Sequence, residues 1–375
     1  MRANLQSFAW SPAPTSFHAV NTPPLRRGWT TGACAAAAAR AAAEGFLSGA
    51  FPDPVTIHLP GGGTAAFALA ATGRLPNAAM AAIVKDAGDD PDVTHGALIR
   101  VTVSPGSPHT GVTFQAGPGV GTVTLPGLPI PPGEPAINPM PRRMIAQALA
   151  EATARFGGGG DWLVEVSIPG GEALAEQTLN GRLGIRGGLS ILGTTGIVVP
   201  YSCAAWIDSI RRGIDVARAT GLTHVAAATG RTSELAVQKL YDLPDLALLD
   251  MGDFVGGTLK YLRRHPVERV TLAGGLAKMT KLAQGRLDLH SKRGGVDGAA
   301  LGALAARLGA DPTLAARIAD ANTTALAFAL AGDLPLAGTI ATEAHRVAQA
   351  VLEEAPIALT VLLIDREGRV VAHHA

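Results

Sequence analysis

The sequence predicts a mixed protein of two joined units: a β-rich α+β domain followed by a Rossmann-like α/β domain with a parallel sheet. Three observations carry this expectation. The chain has 375 residues, more than one ordinary core accommodates. Between residues 55 and 125 it breaks into short apolar runs split by glycine and proline, the pattern of strands and turns. From residue 223 to 284, strand-like and helix-like runs alternate, as parallel strands joined by crossover helices do. The expected divisions are a disordered lead-in over 1–24, the β-rich domain over 25–186, and the α/β domain over 187–375, which closes on a hairpin.

Composition narrows the function classes. The chain is 47% hydrophobic and only 16% charged, with a formal charge of +1, and its mean hydropathy is +0.24. It can bury a large core, and it carries no global basic field of the kind that binds nucleic acid. Any anionic ligand must therefore be met by local arginines and lysines. No run reaches the ~18 apolar residues of a membrane span. Cys34 and Cys203 are the only cysteines, too few for a disulfide framework or a zinc cage, so a reducing cytoplasm is the simplest setting. Pro12, Pro14, Pro23 and Pro24 punctuate the first residues, which read as a lead-in and not as a signal peptide.

Taken in order, Leu25 to Cys34 leads into an alanine-rich helix, with Thr30 or Thr31 as its N-cap. Arg26 and Arg27 stand just ahead of that N-terminus, where guanidinium forks and free N–H groups suit a carboxylate or phosphate. The alternative is a capped helix with two solvated arginines. Cys34, in the first turn, reads as a packed small residue without a base. Strands are expected at 55–59, 64–70, 98–103, 112–115, 120–125 and 163–168. Within residues 84–96, Asp86, Asp89, Asp90, Asp92 and His95 could ligate a hard cation, but the spacing is not an EF-hand's, and aspartates capping a turn are the simpler reading. Residues 131–145 form a proline-fixed loop feeding a helix, which would hold Glu134, Asn138, Arg142 and Arg143 with little entropy left to lose. A rigid connector is the alternative there.

Residues 187–200 form the hinge of the chain. Glycines flank a short apolar run, and Gly193-Thr194-Thr195-Gly196 offers flexible backbone, N–H groups and hydroxyls to a polar ligand, unless it serves only as a domain-crossing turn. A helix is expected over 201–217. Strands follow at 223–228, 246–250 and 269–273, with helices at 233–241, 253–264 and 276–284. Their carboxyl-end loops, 228–231, 249–253 and 273–276, are where open α/β sheets bind ligands, although none is a full dinucleotide fingerprint. Alanine-rich helices fill 297–353, and 357–364 with 369–372 read as a terminal hairpin.

These residues resemble a known family. Residues 25–39, Lys85-Asp86 through His95-Gly96, Gly133 to Ile145, Leu183 to Pro200 and Gly252 to Leu262 are together similar to the cobalt-precorrin-5B C(1)-methyltransferases (CbiD type) of cobalamin biosynthesis. Gly-Glu-Pro-Ala-Ile-Asn-Pro-x-Pro-Arg-Arg-Met-Ile and Ser-Ile-Leu-Gly-Thr-Thr-Gly-Ile-Val are long and specific. The chain departs from the family at Val199-Pro200-Tyr201, at Ala228-Thr229-Gly230-Arg231-Thr232-Ser233, and over Gly274 to Gln284, which keeps Lys278 and Lys281 but lacks the usual Gly-His pair. The resemblance implies a cytoplasmic enzyme that moves a methyl group from S-adenosylmethionine to ring carbon C-1 of a small-molecule tetrapyrrole. It implies no protein-bound metal, no nucleic acid and no membrane, and leaves room for a homo-oligomer and for transient contacts with neighbouring pathway enzymes.

The chemistry then assigns roles. Methyl transfer from a sulfonium is an in-line displacement that demands alignment and exclusion of water. Arg26, Arg27, Arg142 and Arg143, with Glu134 and Asn138, are expected at the ring carboxylates. Gly193, Thr194, Thr195, Gly196, Asp250 and Asp253 are expected at the donor. No residue marks itself as a catalytic base. A non-catalytic corrinoid carrier or scaffold would share the arginines but need no adenosyl site, and an α/β oxidoreductase would need a glycine-rich fingerprint that is missing.

Overall fold

A computed structural model describes residues 24–375; the expected lead-in lies, but for Pro24, outside the described residues. The first core is built on one helix, Thr31–Ser48. Alanine makes it both a strong helix former and a thin one. Ala33 to Ala39 and Ala41 to Ala43 are all fully buried, so the helix is enclosed on nearly every side. Thr30 caps its start, its Oγ1 accepting from Ala33 N at 3.1 Å, and Gly49 ends it in the left-handed region at φ 82°. The Pro139–Phe156 helix packs along it. Beneath lies a five-stranded mixed sheet in the order Ala71–Leu75, Ala78–Val84, Leu98–Pro105, Trp162–Ser167, Val112–Ala116, of which only the last pair is parallel.

The hairpin Ala71–Leu75 with Ala78–Val84 was not expected. Ala78-Ala79-Met80-Ala81-Ala82 has little β-propensity of its own; the strand exists because alternate alanines let it lie close under the buried helix. The strand expected at 120–125 is broken into Gly119–Val120 and Thr122–Val123. Gly121 interrupts it, donating to Leu189 O and accepting from Ala136 N.

The hinge also lies elsewhere than expected. Gly188–Leu189 pairs with Gly119–Val120, and Ile197–Val198 with Gly28–Trp29, while Leu189 and Ile191 belong to the first core. Residues 187–198 thus complete the first core and do not open the second, which begins at the Cys203–Ala219 helix capped by Ser202. Tyr201, expected inside that helix, precedes it with φ 56°.

The second core surrounds another five-stranded mixed sheet. Leu248–Asp250, His224–Ala228, Arg269–Gly275 and Ala358–Ile364 are parallel in that spatial order, and Val370–His374 adds an antiparallel edge. The Arg231–Tyr241 helix covers one face through Val237. On the other face Ile210, Leu259, Leu282 and Ile340 bring in four helices. Residues 246–247, expected to start a strand, lie instead in the 3-10 turn Asp245–Ala247 behind Pro244. Among the described residues, no helix is long and apolar enough to cross a membrane.

Candidate functional site

Two clusters hold the chemistry-bearing residues. The first forms where two helix N-termini meet the Leu192–Gly196 loop. Gly32 N donates to Leu192 O, Thr30 N donates to Gly196 O, and Thr31 Oγ1 accepts from Leu192 N at 2.9 Å. The contact is close: a Cβ on Gly193, at φ 122°, would lie 2.4 Å from the Thr30 side chain. Gly32, Ala33 and Cys34 N–H groups all have protein acceptors, so the first helix's N-terminus is capped from within and is not the open anion site the sequence suggested. Cys34 is fully buried, and burial pushes its thiol up to about 12, which makes it packing, not a nucleophile. Thr195 Oγ1 turns back onto Ile197, while Thr194 is exposed.

The arginines divide into engaged and exposed. Arg26 makes a two-pronged pair with Asp86, and its backbone N–H donates to Asp89 at 2.6 Å. The Arg26 hydrogen bond, helped by Gly88 N–H, holds the Asp86 carboxyl down to about 2. Arg142 is turned inward. Its guanidinium donates to Glu134 at 2.9 Å and to the carbonyls of Ile137 and Pro135, and lies over the Phe114 ring. Glu134 and Arg142 therefore stiffen the proline loop against each other. Asn138 does likewise, donating through Nδ2 to Ile191 O at 3.1 Å. Arg27 and Arg143 remain exposed, and Arg143 lines an open cleft of ≈ 290 Å³ with Pro129, Ile130, Pro131, Pro139 and Arg142.

The aspartate loop is a self-capped turn. Asp92 accepts from Lys85 Nζ at 2.6 Å and from both the N–H and the hydroxyl of Thr94. Lys85 is itself buried. Asp90 reaches the chain ahead of the second core, accepting from Tyr201 N at 2.8 Å.

The second cluster lies at the carboxyl ends of the parallel strands. Strand order reverses between His224–Ala228 and Arg269–Gly275, the usual ligand position in open α/β sheets, and the strand ends stay joined at its base by Thr229 N donating to Ala273 O at 2.9 Å. Thr229, Gly230, Gly274 and Gly275 border it. A Cβ on Gly230 or Gly275 would meet nothing within 4 Å. Lys278 Nζ donates to Thr229 O at 2.8 Å and stands 3.2 Å from Asp253 Oδ1, which is buried and makes no hydrogen bond. Asp250 ends the neighbouring strand. Burial first, and the charge of Glu234 second, push its carboxyl above the usual range. Glu234 is nearly enclosed and is gripped by Arg182 at 2.7 and 2.8 Å and by Arg231 at 2.6 Å. Trp206 closes this end, its indole N–H donating to Asp250 O at 3.0 Å.

Among the described residues, no hydrogen bond or ion pair joins the Gly193–Gly196 loop to Asp250 or Asp253. Of the residues expected at the donor, Gly193 and Gly196 lie against the start of the first helix, and Asp250 ends a strand of the second core. Sequence reasoning missed Arg182, Glu234 and Trp206. Glu234 had a signal, an acid in the first turn after a strand end; Arg182 had none, because its partner is 52 residues away.

Known proteins match this chain along most of its length. The CbiD family model covers residues 18–200, and the model described as the C-terminal domain of CbiD covers 288–375. The chain belongs to the CbiD family. A relative from Agrobacterium fabrum is 61% identical over 346 residues, 92% of this chain and 91% of its own. One from Halorhodospira halophila is 62% identical over 347 residues, 92% and 93% of the two chains. Both are named cobalt-precorrin-5B C(1)-methyltransferase. The crystal structure of a cobalamin biosynthesis protein (cbiD) from Archaeoglobus fulgidus is 28% identical, covering 67% of this chain and 77% of that one, with a TM-score of 0.39. The matched ranges include both the loop cluster at 192–196 and the two C-terminal strands that complete the second, mixed sheet.

Proposed function

We propose that this chain transfers a methyl group from S-adenosylmethionine to C-1 of cobalt-precorrin-5B in cobalamin biosynthesis. The supporting observation is identity of 61% across 92% of the chain with an enzyme named for that reaction. On this reading the chain is a β-rich unit ending near Pro200, followed by a Rossmann-like α/β unit. The donor binds in the strand-end crevice, and the ring lies toward the loop cluster.

The crevice suits a sulfonium nucleoside. Open space at Gly230 and Gly275 admits a ligand close to the backbone. Burial and the charge of Glu234 disfavour the Asp250 carboxylate more than Arg182 and Lys278 favour it, so a bound cation would stabilise it further. The Asp250 carboxylate can also accept from a ribose diol, as acids at strand ends do. When bound, the donor supplies an electrophilic methyl. Asp250 and Asp253 hold the cation's surroundings negative, and Lys278 fixes the Asp253 and Thr229 loops against each other. An electron-rich macrocycle carbon needs no strong base. Arg27 and Arg143 are the arginines that remain for ring carboxylates. Arg26, Arg142, Glu134 and Asn138 support them by fixing the backbone.

The test is mass spectrometry of the tetrapyrrole after incubation with S-adenosylmethionine, with cobalt in the ring and without. One added methyl, located at C-1 by a labelled donor, is expected. Tight ring binding with no methyl gained in either form, and no donor binding, would establish a carrier instead. Donor affinity is also expected to fall on acidification at a pH above the ordinary carboxylate range, because protonating Asp250 removes the charge that faces the cation.

A further inference from the structure

The chain leaving the first core is unusually exposed and apolar. Tyr201 is 68% and Trp206 46% exposed, and Leu192 and Val199 are exposed beside them in sequence. Burying large aromatic surface is a main driving force of folding, so two aromatics left outside on one short connection call for a ligand. They are also held, not loose. Tyr201 sits at φ 56°, a region that side chains other than glycine and asparagine rarely adopt. Asp90 fixes it there by accepting its N–H at 2.8 Å, and Ser202 follows at once as a helix cap. Trp206 is anchored at its edge by the bond to Asp250 O, and its ring stands 3.3 Å from where a Cβ on Gly252 would be.

We propose that Trp206 and Tyr201 form the wall on which the flat face of the macrocycle stacks, at the lip of the strand-end crevice. The proposal rests on the methyltransferase reading and names the acceptor side of that site. The occupant follows from three features. A conjugated tetrapyrrole offers a broad π face with carboxylates around its rim. Arg27 forms an antiparallel bridge with Gly88, two residues before the Asp90 that accepts the Tyr201 N–H, so an exposed cation stands near the apolar strip. Among the described residues, nothing pairs with the Arg27 guanidinium. Lastly, a ring stacked on Trp206 is adjacent to Asp250, so its reactive edge reaches the donor without either group leaving its own pocket. Both residues are positioning groups for the acceptor.

The experiment uses the full chain with cobalt-precorrin-5B as the probe. Quenching of indole fluorescence reads ring binding, and steady-state turnover gives KM for ring and donor separately. The chain has four tryptophans, and Trp206→Phe is expected to remove most of the quenching while keeping ring KM within about threefold, because phenylalanine still stacks. Trp206→Ala and Tyr201→Ala are each expected to raise ring KM roughly tenfold or more, with donor KM nearly unchanged for Tyr201→Ala. Both positions are exposed, and circular dichroism checks that the variants fold. Unchanged ring KM in both alanine variants overturns the proposal. So does a rise in donor KM alone, which would make Trp206 a wall of the donor crevice. So does a loss of dimers in sedimentation with ring binding intact, which would make the strip a subunit contact. If the unaltered protein binds neither ring nor donor, the functional reading itself fails, and that outcome is visible before any variant is made.

Discussion

Asp86 shows how this loop makes its own order. Four aspartates within seven residues suggested either a cation site or a turn, and the side chains have chosen backbone N–H groups, one arginine, one lysine and a threonine hydroxyl. The pair with Arg26 is exposed, so its worth lies in geometry more than in stability. Its titration is the accessible signature. In the unaltered protein the Asp86 carboxyl should titrate near about 2, and in Arg26→Ala it should move up toward the ordinary aspartate value. Carbon-13 NMR of labelled aspartate reads this directly; an unshifted Asp86 in the variant would assign the effect to the Gly88 N–H instead. The residue scale also corrected the sequence most sharply. Arg142 and Arg143 are adjacent and chemically alike, yet one is bonded to Glu134 and two carbonyls and the other faces a cleft. Only the direction of the side chain from the helix separates them.

At the scale of elements, the Thr31–Ser48 helix depends on its cap. Its alanines bury little area each, and it gains from length, enclosure and a satisfied first turn. Thr30→Ala removes the Oγ1 acceptor from Ala33 N and also the wall that Gly193 packs on. A loss of about 1–2 kcal/mol is expected, read from the urea midpoint at unchanged m-value. A loss confined to turnover, with the midpoint unmoved, would mean that the cap is dispensable and that Thr30 acts on the loop alone. The helix and its cap were legible in the sequence, because a threonine ahead of an alanine run is a local signal. The 71–84 hairpin was not, because its strand character comes from what lies above it.

At the scale of the whole molecule, Arg182 joins segments 52 residues apart. It leaves a turn whose Leu183 packs on the small cluster of Val123, Ile130, Ala136 and Ile185, and grips Glu234 on the helix that covers one face of the second sheet. Glu234 in turn sets the charge felt by Asp250. Arg182→Met leaves a buried carboxylate with Arg231 alone, and should cost roughly 2 kcal/mol, less than the 3–5 of an entirely broken buried pair. The sign with pH is fixed. The Arg182 hydrogen bond depresses the Glu234 pKa, so its stabilisation is fully present above the ordinary glutamate pKa and is lost as pH falls through the folded value. Denaturation of the two proteins should therefore differ at neutral pH and converge in acid. A constant difference across that range would show that the lost packing of the arginine stem, and not its charge, is responsible.

The sequence by itself determined the family, the two kinds of texture, and most strands and helices of the second core. These are local or contiguous properties: periodicity, caps, turn residues and long motifs. Only the tertiary structure decided that residues 187–198 finish the first core, that Gly193 and Gly196 lie against the start of the first helix, and which arginines face outward. Each of these depends on partners brought together from far along the chain, as Thr31 is to Leu192 and Arg182 to Glu234. Whether a side chain is free for a ligand is set by whether such a partner has already taken it.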